Sequence, residues 1–256
     1  MDADLLLIAL GIAAFCAGFV DAIVGGGGLI QIPALLSAYP ALAPASLFGT
    51  NKLASIVGTS SAAIQYSRKV AIPWRIALPG AIAALIFAWF GAKTVAYLSP
   101  ALLRPIVLLL LILVAIYTFI RKDFGAISRE QVDPQQAILL TILIGCVVGF
   151  YDGFFGPGTG SFLIILFIRF LGMDFLRASA TAKIVNVSTN LGAILYFSSS
   201  ITLLWQTAFI MAICNFLGSV IGARTAVRKG SQFVRKIFLV IVTLLIARLA
   251  YDTFLV

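Results

Sequence analysis

Histidine is absent from the 256 residues, cysteine occurs three times, and only nine residues are acidic. Without histidine the chain lacks the commonest proton shuttle and metal ligand. Cys16, Cys146 and Cys214 stand alone in apolar runs, and no CxxC occurs. That argues against a zinc site and a disulfide framework, so the three read as small packing residues. No metal or cofactor is expected. An enzyme inside a membrane would need a metal cluster, an acid-rich motif or a nucleophile beside a base, and none is legible. Charge is scarce as well: 11% of residues are charged, against about 25% in soluble domains. A soluble fold of this size could not hide a chain that is 62% hydrophobic, because too much surface stays outside. With a mean hydropathy of +1.12, the excess must face lipid. The runs are apolar all round and do not alternate, which excludes a β-barrel. A span takes about 20 residues, and about 25 with its loop, so the chain holds roughly ten segments and no sizeable extramembrane domain.

The net charge is +9. In an apolar chain this reads as basic cytoplasmic loops, and no nucleic-acid partner is expected. Asp2 and Asp4 precede the first apolar run without any Lys or Arg. That is unlike the basic start of a cleaved signal peptide, so the run is expected to stay as a span.

The chain reads as a duplication. An offset of 131 residues relates Gly18, Asp21, Gly25 and Gly27 to Gly149, Asp152, Gly156 and Gly158. The same offset carries Thr50, Lys52, Trp74 and Gly91 onto Thr181, Lys183, Trp205 and Gly222. Leucines could coincide by chance, but Asp, Lys, Trp and glycine in one register point to two homologous halves. The expected division is a membrane repeat at 1–120, a connecting cytoplasmic loop at 121–135 and a second repeat at 136–256. The apolar segments fall at 5–23, 28–39, 46–67, 76–98 and 102–120, then at 137–151, 160–171, 178–198, 206–226 and 235–255. The second segment of each half is too short to cross hydrocarbon and follows a glycine-rich break, as a broken or re-entrant helix would.

With the N-terminus outside, the inside loops hold Arg68, Lys69 and Arg75, then Arg121, Lys122 and Arg129. They also hold Arg169 and Arg177, then Arg228, Lys229, Arg235 and Lys236. Lys93, Arg104 and Arg248 are exceptions to this positive-inside pattern. An odd number of passages per half makes the repeats inverted, a secondary-transporter plan with its site near the midplane. Four spans per half plus buried hairpins would instead give parallel repeats. The expectation is an all-α polytopic membrane protein with two homologous, inverted repeats, about eight full spans and two short broken or re-entrant helices.

Three sets of polar groups lie inside the apolar segments. The glycine breaks are Gly25, Gly26, Gly27 and Gly28, and Gly156, Pro157, Gly158, Thr159 and Gly160. Unwound backbone at membrane depth is tolerated only against protein or a water-filled cavity. The helix that follows offers its positive end to an anion. Close packing through small residues is the alternative. The second set is two helical stripes. Lys52, Ser55 and Thr59 share one helical face beside Asn51, and Lys183, Asn186 and Asn190 share its counterpart. An intramembrane lysine is costly and suggests function, unless it snorkels to the interface. The Lys183 stripe is the more polar of the two. The third set is Asp21 and Asp152, which could neutralise the lysines, carry protons or cap the short helices. Trp74 and Trp205 read as interfacial belt residues. Lys93 and Arg224 read as snorkelling cations.

The run of Gly25 to Gly28, then Ile32-Pro33-Ala34-Leu35 and Gly49-Thr50-Asn51-Lys52-Leu53, resembles the TauE/SafE family of sulfite exporters, also called TSUP transporters. The two-repeat layout agrees, and the resemblance covers nearly the whole chain. It implies a multi-pass transporter of the cell inner membrane, carrying a small sulfur-containing anion such as sulfite, a sulfonate or thiosulfate. It also implies a site built from the glycine segments and the two lysine stripes. Pro157 and Ala182 replace Gly26 and Asn51 in the second half, so the half-sites are not expected to contribute equally. A non-transporting membrane scaffold or assembly factor remains the alternative, although a scaffold has no need of matched polar stripes.

Overall fold

A computed structural model describes residues 3–99 and 133–254, with side chains described for 4–99 and 133–229. Eight helices and no strands occur among the described residues. They are α1 (Ala3–Val24), α2 (Gly28–Ala38), α3 (Pro44–Ser67), α4 (Trp74–Tyr97), α5 (Pro134–Phe154), α6 (Thr159–Leu171), α7 (Phe175–Ser200) and α8 (Trp205–Phe254). Local chemistry sets their ends. Pro44 and Pro134 open α3 and α5, where a missing N–H costs nothing. Asp133 and Asp174 cap α5 and α7 by accepting from the backbone N–H groups of Gln135, Gln136, Leu176 and Arg177, as N-caps do. Gly172 ends α6 in the left-handed conformation that glycine adopts readily.

Four helices are long and apolar enough to cross a membrane: Asp4–Val24, Trp74–Tyr97, Pro134–Phe154 and Trp205–Lys229. α3 and α7 have the length, at 24 and 26 residues, yet their composition is too polar. They are interior helices: α3 packs on α7 and α8, and α7 on α3, α4 and α6. Most of their surface meets protein and not lipid, so Thr50, Asn51, Lys52, Asn186 and Asn190 are all buried.

The sequence boundaries hold for α1 to α7. The segment expected at 102–120, and with it Arg104, Arg121, Lys122 and Arg129, lies outside the described residues. The segments expected at 206–226 and 235–255 need correction, because α8 is one unbroken helix of 50 residues. The positive-inside pattern expects a loop at its basic stretch, 228–236. No proline interrupts it, and Arg, Lys, Gln, Phe and Val all tolerate a helix.

The contacts of one half recur in the other at the offset of 131. α1 packs on α8, and α5 on α4. Gly18 lies against the Asn215 backbone and Gly149 against Ala84, while Gly222 meets Phe19 and Gly91 meets Phe150. Each glycine admits a helix backbone at a distance that any side chain would forbid. The two ends of the bundle can be told apart by hydrogen bonds. At one end Arg177 Nε donates to Ala71 O over 3.2 Å, joining the start of α7 to the α3–α4 turn. At the other, Leu204 N donates to Thr50 Oγ1 over 3.1 Å, and Tyr39 pairs with Thr207 at 3.0 Å. These join the start of α8 to the start of α3 and the end of α2. α3 and α7 therefore run in opposite directions. α1 enters from the second end, and α2 turns back to it.

Candidate functional site at two crossed helix breaks

The breaks before α2 and α6 meet at the centre. Gly25 and Gly156 occupy matching positions and both take positive φ, 80° and 99°, which only glycine adopts without strain. Ser161 N donates to Gly25 O over 3.1 Å, and Ser161 Oγ to Val24 O over 2.9 Å. A Cβ on Gly25 would overlap the Gly160 carbonyl carbon, and one on Gly160 would lie 2.5 Å from Gly25 Cα. Two backbones thus cross with no side chain between them. Gly158 also takes positive φ, 81°, whereas its counterpart Gly27 is right-handed at −57°, so the second break is the tighter one.

The lysines pair with the aspartates across the halves. Lys52 Nζ lies 2.6 Å from Asp152 Oδ2, and both residues are at most 3% exposed. Lys183 Nζ lies 2.8 Å from Asp21 Oδ2 and also donates to the Asp21 backbone carbonyl. Thr59 Oγ1 donates to the same Asp21 oxygen over 3.4 Å. In this arrangement each aspartate pairs with a lysine of the other half. Neither supplies a side-chain cap, since α2 and α6 begin at Gly27 and Gly158 without one. Snorkelling does not describe the lysines, which are 3% and 1% exposed and are held at mid-helix. Trp74 and Trp205, in contrast, open α4 and α8 in exposed positions, as belt residues would. Lys93 Nζ sits 5.3 Å over the Trp89 ring.

A small cavity of about 20 Å³ lies where the breaks cross. Of the residues singled out in the sequence, Asp21, Gly25, Gly27, Gly28, Asn51, Lys52, Ser55, Thr59, Asp152, Gly156, Thr159, Asn186 and Asn190 line it. Gly26, Gly158 and Lys183 do not. Lys183 is turned behind Asp21, so the less polar stripe is the one that presents its ammonium to the cavity. Gly160 of the second glycine break lines it too, and so does Asn215. Asn215 is a lone amide in an apolar run, and its Nδ2 donates to Ala14 O over 3.2 Å. Gln31 is another such amide, fully buried, with its Oε1 accepting from Ser55 over 3.2 Å and its Nε2 unpartnered. A single polar residue inside an apolar segment was the signal for both. Asn51 Oδ1 is likewise buried without a partner.

The chemistry of this cavity is that of a small polar ligand. Two ammonium groups and two carboxylates cancel, and the N-termini of α2 and α6 then tip the balance toward negative charge. No group of three or more metal-ligating side chains occurs among the described residues.

The sulfite exporter TauE/SafE family profile matches residues 10–249. The chain belongs to that family. It is 34% identical over 253 residues to the probable membrane transporter protein YfcA of Escherichia coli K12, covering 99% of this chain and 93% of that protein. It is 36% identical over 248 residues to the probable membrane transporter protein ORF9 of a Sinorhizobium species, with 96% and 93% covered. A probable membrane transporter protein of Haemophilus influenzae is 33% identical over 249 residues, with 97% and 96% covered. No solved structure matches. The family is one of membrane transporters, which agrees with the apolar helices.

Proposed function

We propose that the protein is a secondary transporter of the cell inner membrane that carries a small sulfur-containing anion, such as sulfite, a sulfonate or thiosulfate, through the cavity at the crossed breaks. The observation that carries this reading is the convergence of Lys52 and two helix N-termini on one buried cavity. Family membership points the same way. The glycine breaks let backbone N–H groups approach a ligand, and Asn51, Ser55, Thr59, Asn186 and Asn190 supply neutral hydrogen bonds.

The proposed framework is two inverted repeats, at 1–120 and 136–256, joined at 121–135. It is supported by the opposite directions of α3 and α7, which occupy equivalent places in the two halves. Arg68, Lys69, Arg75, Arg169 and Arg177 then gather at the end where the α3–α4 turn meets the start of α7. Arg228 and Lys229 arrive there after α8 has crossed. Under the positive-inside rule this end is cytoplasmic, and the N-terminus is outside.

Proteoliposome flux tests the substrate. Sulfite, thiosulfate and a short sulfonate should exchange, whereas an alkali cation and a neutral amino acid should not. Movement of the cation or the amino acid with no response to any anion would sink the proposal.

A further inference from the structure

We propose that this transporter takes up a proton with each anion, and that the proton resides on Asp152. The inference deepens the anion-site reading and rests on it.

The argument is one of charge balance. The empty site holds two ammonium groups and two carboxylates in crossed pairs. A monoanion entering the cavity adds a full negative charge to a set whose charged side chains already balance, among largely buried groups, which is costly. Of the two acids, Asp152 shares its partner Lys52 with the cavity. Asp21 keeps Lys183, which stays behind it, bound also to the Asp21 carbonyl. An oxyanion competes for the Lys52 ammonium and loosens Asp152 Oδ2. The loosened carboxylate accepts a proton that enters from the bulk solution with the anion, and the Lys52 ammonium pairs with the anion.

The charged side chains around Asp152 offer no other compensation. α3 brings Lys52, and α1 brings Asp21, already engaged with Lys183 of α7. The neighbouring Tyr151 on α5 donates its hydroxyl to Pro157 O over 2.6 Å. α6 brings the Thr159 hydroxyl, which donates to Gly156 O over 2.8 Å. α4 packs on α5, and its Lys93 lies over Trp89. A monoanion would therefore cross together with its proton without net charge, and acid outside should drive its accumulation inside vesicles.

The test is isothermal titration of the purified full chain with methanesulfonate and with ethanesulfonate, monoanions that exchange no proton near neutral pH. Each titration is run in phosphate and in Tris, whose ionisation enthalpies differ. Buffer-dependent heats corresponding to uptake of about one proton per anion are expected, with affinity falling up to about tenfold per pH unit on the alkaline side. The infrared difference spectrum on binding should gain a protonated carboxylic acid band, and Asp152→Asn should abolish it. Binding of either anion without proton uptake overturns the inference and leaves the anion site standing. Proton uptake that persists in Asp152→Asn overturns the assignment to Asp152. If Asp152→Asn does not fold, the wild-type calorimetry decides alone. If neither anion binds and sulfite fails as well, the anion site itself is overturned.

Discussion

Replacing Lys52 with Met is a severe test of the crossed pairs, because Met keeps most of the apolar stem and removes only the charge. The ion pair spans 2.6 Å between residues that are 3% and 2% exposed. Removing one member of so buried a pair leaves an uncompensated charge, which costs about 3–5 kcal/mol. In a chain of this size that corresponds to a fall in melting temperature on the order of 10 °C. Removing both charges, as in Lys52→Met with Asp152→Asn, leaves no stranded ion and should recover most of that loss. The single Asp152→Asn change strands the ammonium and should be destabilising as well. The four proteins form a double-mutant cycle, read by thermal unfolding in one detergent. Acidification should recover part of the stability of Lys52→Met, since a protonated Asp152 needs no counter-charge. If the double variant melts at the sum of the two single losses, the residues are not coupled and the pairing is wrong.

The other expectations follow from the same geometry. Gly160→Ala should cost about 1–3 kcal/mol by overpacking, because its Cβ would meet Gly25 Cα at 2.5 Å. Gly26→Ala, whose nearest neighbour is 3.7 Å away, should melt like the parent; equal losses in both would show that the breaks do not cross as described. Single cysteines placed at 69 and 228 should react with an impermeant thiol reagent from the same side of the membrane, and labelling from opposite sides would end the inverted arrangement. Lys52→Met should lose about ten- to a hundred-fold in anion affinity, since a charge-assisted hydrogen bond contributes roughly 1.5–3 kcal/mol. Because the double variant with Asp152→Asn restores stability but not the ammonium, it should still bind poorly, and full recovery of binding would remove Lys52 from the site.

Much of this was legible from residue types alone. The apolar runs placed α1 to α7, and the length of the runs after each glycine break marked α2 and α6 as too short to span. The matched Asp, Lys, Trp and Gly positions gave the duplication. What local sequence could not carry was the pairing. Lys183 and Asp21 lie 162 residues apart, and no periodicity links positions on different helices. The sequence left Asp21 and Asp152 with three open roles, because their partners are chosen by how the halves face each other. Nor could it tell that Lys183 turns behind Asp21 while Lys52 meets the cavity, since the two stripes are nearly the same pattern. The continuity of α8 was hidden for a different reason. A basic cluster reads as a loop by the positive-inside rule, yet the same residues have good helix propensity, so charge and backbone preference point to different structures.

The crossing of the pairs has a mechanical meaning. Had each lysine paired with the aspartate of its own half, each half would carry a self-sufficient charge balance. The halves could then slide without any electrostatic cost, and nothing at the site would report the motion. Here Lys52 depends on Asp152 and Lys183 on Asp21, so any displacement of one half against the other pulls on both pairs at once. In the inverted-repeat framework proposed above, the site changes its exposure by such a displacement. Parting a buried pair costs several kcal/mol, which holds the empty site in place. A bound anion that occupies Lys52, with a proton on Asp152, removes that restraint because neither group is then left charged and alone. Under the proposed function, movement is thereby tied to loading, as a carrier requires of its site.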